Sequence, residues 1–264
     1  MNDSRPDPGS LCERIVCGVD GTPESLVAVE HAVRLQAADG HLALISVAQL
    51  DKAAHAGFRA PHAADLLQQE AEAAIAAAKS LAPSASTKLV HGNPVSVLLR
   101  ELETGRATLV SVGSHGRGRA AAMLLGTVAS SMLRDAPCSV LVARAAEEEE
   151  TWPRSVVVGI DGSPESAAAF SAARSLAERL GASFRTLAST RDDFDRAAAE
   201  AIADDLEEQP GRAVAELVAA SASADLVVVG SRGLHGLRAL GSVSERVANQ
   251  ARSSVLVVRP LPAD

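Results

Sequence analysis

Apolar residues fall into short, nearly continuous runs, Ile15–Val19, Leu42–Val47, Leu109–Val112 and Ser139–Ala143, and again at Val156–Val158, Leu226–Val229 and Val255–Val258. Runs of this length, rich in Val, Leu and Ile, read as buried strands. Between them the period changes to that of a helix: Leu26, Val29, Val33 and Ala37 share one face, as do Phe170, Ala173, Ala177 and Leu180. Thr22 and Ser163 are suited to cap these two helices, Pro23 and Pro164 to occupy the first helical position, and Gly40 and Gly181 to end them. An alanine-rich helix over 63–81, a short strand near 88–90, a helix opened by Asn93-Pro94 and a helix near 127–134 complete the first half. Strand and helix alternate throughout, which predicts a parallel sheet covered by helices on both faces.

The pattern occurs twice. Residues 15–25 are matched by residues 156–166, 141 positions later, including Asp20-Gly21-Thr22-Pro23-Glu24-Ser25 against Asp161-Gly162-Ser163-Pro164-Glu165-Ser166. The expectation is an α/β chain of two tandem doubly wound parallel-sheet domains, over 13–144 and 154–260. Residues 1–12 are expected to be disordered and 145–153, with the acidic run Glu147–Glu150, to form a linker. Trp152 is placed where that linker meets the second domain. The halves differ in length: 46 residues separate Val47 from Pro94, but only 21 separate Ala188 from Pro210. The second domain is therefore expected to have lost or nearly lost its third strand.

Composition removes several functions. The chain of 264 residues is 47% apolar but only 2% aromatic, so base-stacking platforms are scarce, and its net charge of -8 opposes phosphate-backbone binding. No nucleic-acid partner is expected. No apolar run approaches the roughly 20 residues of a membrane span, and the polar start of the chain does not resemble a signal peptide, so the expected location is the cytoplasm. Cys12, Cys17 and Cys138 have no disulfide or metal-site spacing and read as small buried hydrophobes; no metal ligands are assigned.

Candidate chemistry lies in a doubled glycine loop. Gly113-Ser114-His115-Gly116 follows the fourth strand, and nine residues later Gly126-Thr127 opens a helix; Gly230-Ser231-Arg232-Gly233 and Gly241-Ser242 repeat this with seven intervening residues. Glycines let backbone N–H groups face an anion, and a helix start adds free N–H groups and a favourable dipole. In a doubly wound sheet this loop meets the one after strand one, at Asp20-Gly21, over a single crevice. Asp20 suits a base amino group or ribose hydroxyl, and Val47 an apolar base edge. Arg117 and Arg119 either screen phosphate charge or are solvated loop residues. No Walker lysine is present. The combination favours nucleotide binding in the first domain.

These residues resemble the universal stress protein family in its tandem two-domain form. Gly113, Gly116, Gly126 and Thr127 satisfy the family's ATP-binding pattern, G-x2-G-x9-G-[ST], without a gap. The resemblance implies a Rossmann-like sheet ordered 3-2-1-4-5, bound ATP with Mg²⁺ carried on its phosphates, and an adenine site mapping onto Asp20 and Val47. It also implies domain pairing through the last strands, here 139–143 with 255–258, and allows a homodimer. The second domain departs from the pattern: its loop is two residues short, Ala188 replaces Val47, and Glu208 takes the place of Gly92. Its candidates, Asp161, Gly230, Gly233, Gly241 and Ser242, are therefore read as a degenerate site.

The leading function is a nucleotide-dependent regulator of the stress response with an unknown protein partner, in which nucleotide orders the segment 117–125. The alternatives are a slow ATP hydrolase or phosphoryl or adenylyl transferase, for which His115 is the nearby acid–base candidate, and an interaction module with a vestigial site. No catalytic residue is assigned. Alanine at Gly113 is expected to push a methyl group towards the phosphates, and alanine at Gly230 to change little.

Overall fold

The computed structural model describes residues 10–50, 60–115, 125–146, 151–191, 194–231 and 243–259. The first half contains strands β1 (Arg14–Val19), β2 (His41–Ala48), β3 (Ser86–His91), β4 (Leu109–Gly113) and β5 (Ser139–Ala143). Its helices are α1 (Pro23–Leu35), α2 (Ala60–Leu81), α3 (Pro94–Thr104) and α4 (Thr127–Asp135). The second half contains β6 (Ser155–Gly159), β7 (Ser183–Ser189), β8 (Leu206–Gln209), β9 (Leu226–Gly230) and β10 (Ser254–Val258). Its helices are α5 (Pro164–Leu180), α6 (Arg196–Ile202), α7 (Ala213–Ala220) and α8 (Val243–Gln250). No helix among the described residues is long and apolar enough to cross a membrane.

The ten strands of the described residues form one sheet in the order β3-β2-β1-β4-β5-β10-β9-β6-β7-β8. Each half thus has the expected order 3-2-1-4-5. Pairing is parallel within each half, and the halves join where β5 and β10 run antiparallel, with Leu141 opposite Leu256. Alternate residues of these strands feed two continuous apolar layers. Leu141 and Leu256 belong to one, with α1 and α5; Val140, Val142, Val255 and Val257 belong to the other, with α4 and α8. Neither half could leave this edge uncovered without exposing a row of valines and unpaired backbone groups.

Local capping follows the sequence closely. Thr22 and Ser163 accept from the N–H groups of Ser25 and Ser166, and Asn93 accepts from those of Val95 and Ser96. Gly181 ends α5 in the left-handed region, at φ 69°. Gly40 does not end α1, which stops at Leu35 with Gln36 as its cap. The packed face of α1 is also rotated from the expected one: Ala28, Val29, Ala32 and Leu35 are buried while Val33 is exposed. Small Ala and Ser side chains let this face approach the sheet, a choice that hydrophobicity alone does not encode.

Three further expectations are corrected. Leu11 and Cys12, assigned to a disordered tail, lie in a buried turn of 3-10 helix over Ser10–Cys12. The third strand of the second half, expected to be lost or nearly lost, is reduced but present: β8 pairs with β7 over four residues, against six for β3 with β2. An edge strand of sequence Leu-Glu-Glu-Gln carries little apolar signal, and the seven-residue α6 fits the shortened crossover. Gln209 pairs with Ser189 as His91 pairs with Ala48, so the following turn is Pro210-Gly211 and the helix begins later than the match of Pro210 to Pro94 suggested. The turn keeps a glycine, but α7 has Arg212 as its cap, with no side-chain hydrogen bond. The acidic run Glu147–Glu150 lies outside the described residues.

Trp152 does more than meet the second half. Its indole stacks on His31 of α1 at 3.5 Å and 3°, and its Nε1–H donates to the carbonyl of Asp225. His31 is fully buried, with Nδ1 3.2 Å from Ser254 Oγ of β10. Burial, reinforced by the charge of Arg34 and opposed by Asp225, holds the His31 imidazole well below its ordinary value, at about 3. The unfolded chain therefore binds one more proton than the folded chain between about pH 6.5 and that value. His31 contributes its full stability above this window, and the contribution falls as pH drops through it. Unfolding free energy is expected to be about 2 kcal/mol lower at pH 5 than at pH 7 from this residue alone. Urea titrations of wild type and His31→Gln at both values test this; equal pH dependence of the two proteins contradicts it.

Candidate functional site

Strand order reverses between β1 and β4, whose parallel register sets Val16 beside Val110 and Cys17 beside Ser111. The loops after both strands consequently emerge at the same edge, the usual ligand position of a doubly wound sheet. A cleft of about 580 Å³ opens there, within the size range of small-molecule sites. Six predicted residues line it together: Asp20, Val47, Gly113, His115, Gly126 and Thr127. Gly21, at φ 79°, forms the turn behind Asp20. Gly116, Arg117 and Arg119 lie outside the described residues, as do the loop residues up to 124.

Each wall has a local cause. The Asp20 carboxylate accepts through Oδ1 from the N–H (3.1 Å) and hydroxyl (2.6 Å) of Thr22, so it shapes the turn into α1 as well as facing the cleft. Asp161 does the same with Ser163. After β4, Ser114 N–H donates to Ala143 O, and Ser114 O accepts from Gly126 N–H at 2.8 Å, closing the two ends of the glycine loop on each other. His115 Nδ1 is 3.0 Å from Ser114 Oγ. Helix α4 then starts from Gly126 with no side-chain cap. Gly126, Thr127, Val128 and Ala129 all face the cleft, placing the unsatisfied end of the helix where an anion would be held.

Gly113 has a second role that the motif conceals. A Cβ there would lie 2.7 Å from the carbonyl carbon and oxygen of Glu24 and 2.9 Å from Ser25 N. The missing side chain lets the first turn of α1 sit on the end of β4. A Cβ on Gly230 would meet Glu165 O at 2.4 Å and Ser166 N at 3.0 Å, the equivalent backbone in the second half. The added methyl would therefore enter helix backbone in both halves, correcting the expectation that it would point to phosphate in one and be harmless in the other.

Sequence inspection missed the remaining walls. Leu67, Glu70 and Ala71 come from α2, Ser46 and Gln49 from the end of β2, and Asn93, Pro94 and Val95 from the start of α3. No motif marks the residues of α2, because that helix is long and amphipathic and its position over the cleft depends on packing against β2. Among the described lining residues are the carboxylates of Asp20 and Glu70 and the imidazole of His115, but no lysine or arginine. Within these residues the groups able to face an anion are the backbone N–H groups at the start of α4 and the Thr127 hydroxyl.

The second half is built differently. The hollow at Asp161, about 730 Å³ and more open, is lined by Gly162, Ser163, Phe194, Asp195, Arg196 and Ala197 and not by Gly230. The start of α6 closes on the Asp161 turn so tightly that a Cβ on Gly162 would meet Asp195 O at 2.8 Å. Gly233, Gly241 and Ser242 lie outside the described residues. The three cysteines are buried, and burial pushes their thiols up to about 11 for Cys12 and about 12 for Cys17 and Cys138, so none is a ready nucleophile. No group of three or more potential metal ligands occurs among the described residues.

Two doubly wound halves fused through one sheet, with a crevice at the strand reversal of the first, define a tandem Rossmann-like protein. The model of the universal stress protein family matches residues 12–144 and 195–259, and the chain belongs to that family. A universal stress protein of Mycobacterium tuberculosis is 36% identical over 206 aligned residues, covering 67% of this chain and 69% of its own length. Another from the same organism is 29% identical over 95% of this chain and 96% of its own. In structure, a universal stress protein from Archaeoglobus fulgidus superimposes with a TM-score of 0.75 at 18% identity, covering 95% of this chain and 97% of that one.

Proposed function

We propose that the first half binds ATP and that occupancy of this site regulates what the protein presents to a partner. The observation that carries this reading is the uncapped start of α4, facing a cleft shared with Gly113, His115 and Asp20. The N–H groups of Thr127, Val128 and Ala129 suit phosphate oxygens, and the Thr127 hydroxyl adds a donor. Val47 and Leu67 offer apolar surface to a base, while Asp20 and Glu70 offer acceptors to its amino group or to ribose hydroxyls. Any Mg²⁺ would be carried on the phosphates.

Binding is proposed for one half only, because the hollow at Asp161 is walled by the start of α6, and its described lining does not include Gly230. Intramolecular pairing consumes the β5 and β10 edges, so a homodimer would use another surface. Nucleotide released by denaturing freshly purified protein should amount to about one adenine nucleotide per chain by chromatography. Two per chain would contradict the asymmetric reading. No nucleotide, together with no heat on titrating ATP into the protein, would overturn the proposal.

A further inference from the structure

The second half touches α4 at both ends. At the beginning, Asn249 of α8 accepts through Oδ1 from the N–H of Leu125 at 3.4 Å. Leu125 is buried and immediately precedes Gly126, the residue that opens α4 onto the cleft. The Asn249 amide is itself oriented, since its Nδ2 donates to Glu245 O at 2.9 Å and leaves Oδ1 as the acceptor facing the first half. At the far end, the buried guanidinium of Arg259 donates to Leu133 O and Ala136 O, placing a cation on the negative end of the helix. The support is reciprocal: Arg144, just after β5, donates to Ala248 O at 2.6 Å in the last turn of α8 and to Ser253 O at 3.4 Å just before β10.

An uncapped helix start binds an anion well only if its N–H groups are already in place, because ordering them on binding costs affinity. The first half supplies the bond from Gly126 N–H to Ser114 O. The adjoining Leu125 N–H is held from across the domain boundary. We infer that Asn249 is a positioning residue of the first cleft, through which the second half holds the start of α4 ready for the nucleotide. The inference rests on the proposal that an anionic nucleotide occupies that cleft. The second half thereby supports the neighbouring site through α8.

The test uses the full chain and ATP. Removing the acceptor in Asn249→Ala is expected to weaken ATP binding about five-fold by isothermal titration calorimetry, the effect of one ordinary hydrogen bond. In nucleotide-free protein, amide exchange at Leu125 should accelerate in this variant. Asn249→Asp, which keeps an accepting oxygen, should restore slow exchange there, and Gln250→Ala, on the neighbouring exposed position, should match wild type in both measurements. If wild type binds ATP and Asn249→Ala binds it equally well, this inference fails while the nucleotide proposal stands. If wild type does not bind, both fail. Equal weakening by Gln250→Ala would show a general effect of α8 and also overturn the inference.

Discussion

Alanine at Gly230 is expected to destabilise the protein as much as alanine at Gly113, each by about 3 kcal/mol, the upper part of the usual range for overpacking. In both places the new Cβ would approach helix backbone within 3.0 Å, at Glu24 and Ser25 in one half and at Glu165 and Ser166 in the other. Backbone in a capped first turn cannot move aside as the end of a flexible side chain can. Thr22 and Ser163 hold these turns, so relief would require α1 or α5 to lift from the sheet or its cap to break. Urea unfolding midpoints at unchanged slope measure the loss. A Gly230→Ala variant with wild-type stability would refute this account. ATP binding by the same two variants separates the roles: loss of affinity beyond that explained by unfolding is expected only for Gly113→Ala.

The Trp152→Ala substitution should cost about 4 kcal/mol, within the range for removing a buried tryptophan. The indole is 2% exposed, belongs to the apolar layer that spans both halves, and fills the space between His31 and the carbonyl of Asp225. Asp225 is committed on its own account, accepting through Oδ2 from the N–H groups of Arg154 and Ser155. The carbonyl that Trp152 satisfies therefore belongs to a fixed turn at the entry to β9, tied by its carboxylate to the start of β6. Trp152→Phe keeps a stacking ring but loses the Nε1–H bond, at about 1 kcal/mol, and the second ring of the indole, so its loss should exceed that of the bond alone and stay below that of Trp152→Ala. Far-UV circular dichroism during urea unfolding suits all three proteins, since Trp152 is the single tryptophan of the chain. A loss below about 1 kcal/mol in Trp152→Ala would mean that the interface repacks around the cavity.

Much of the site was legible before the fold was known. Asp20, Gly113 and Gly126-Thr127 are marked by strand runs, turn residues and loop spacing, all read over fewer than about 20 residues. Parallel connection then forces their loops to one edge of the sheet. The walls from α2 were not legible, because Leu67, Glu70 and Ala71 are ordinary residues of an alanine-rich helix until its packing brings them over β2. Asn249 was invisible for the same reason: it lies 124 residues from Leu125, in the other half. The β8 strand was obscured by polarity, as a strand at the sheet edge has a neighbour on one side only.

By itself the amino-acid sequence determined the duplication, the alternation of strands and helices and the caps at Thr22, Asn93 and Ser163. These are local matters of period, backbone preference and side-chain reach. Tertiary structure alone decided what the glycines at 113 and 230 face, which partner Trp152 stacks on, and that each half holds the end of a helix in the other through Arg144 and Arg259. Such contacts depend on distances between elements far apart in the chain. Those distances are set only when the two halves share a sheet and bury one pair of apolar layers.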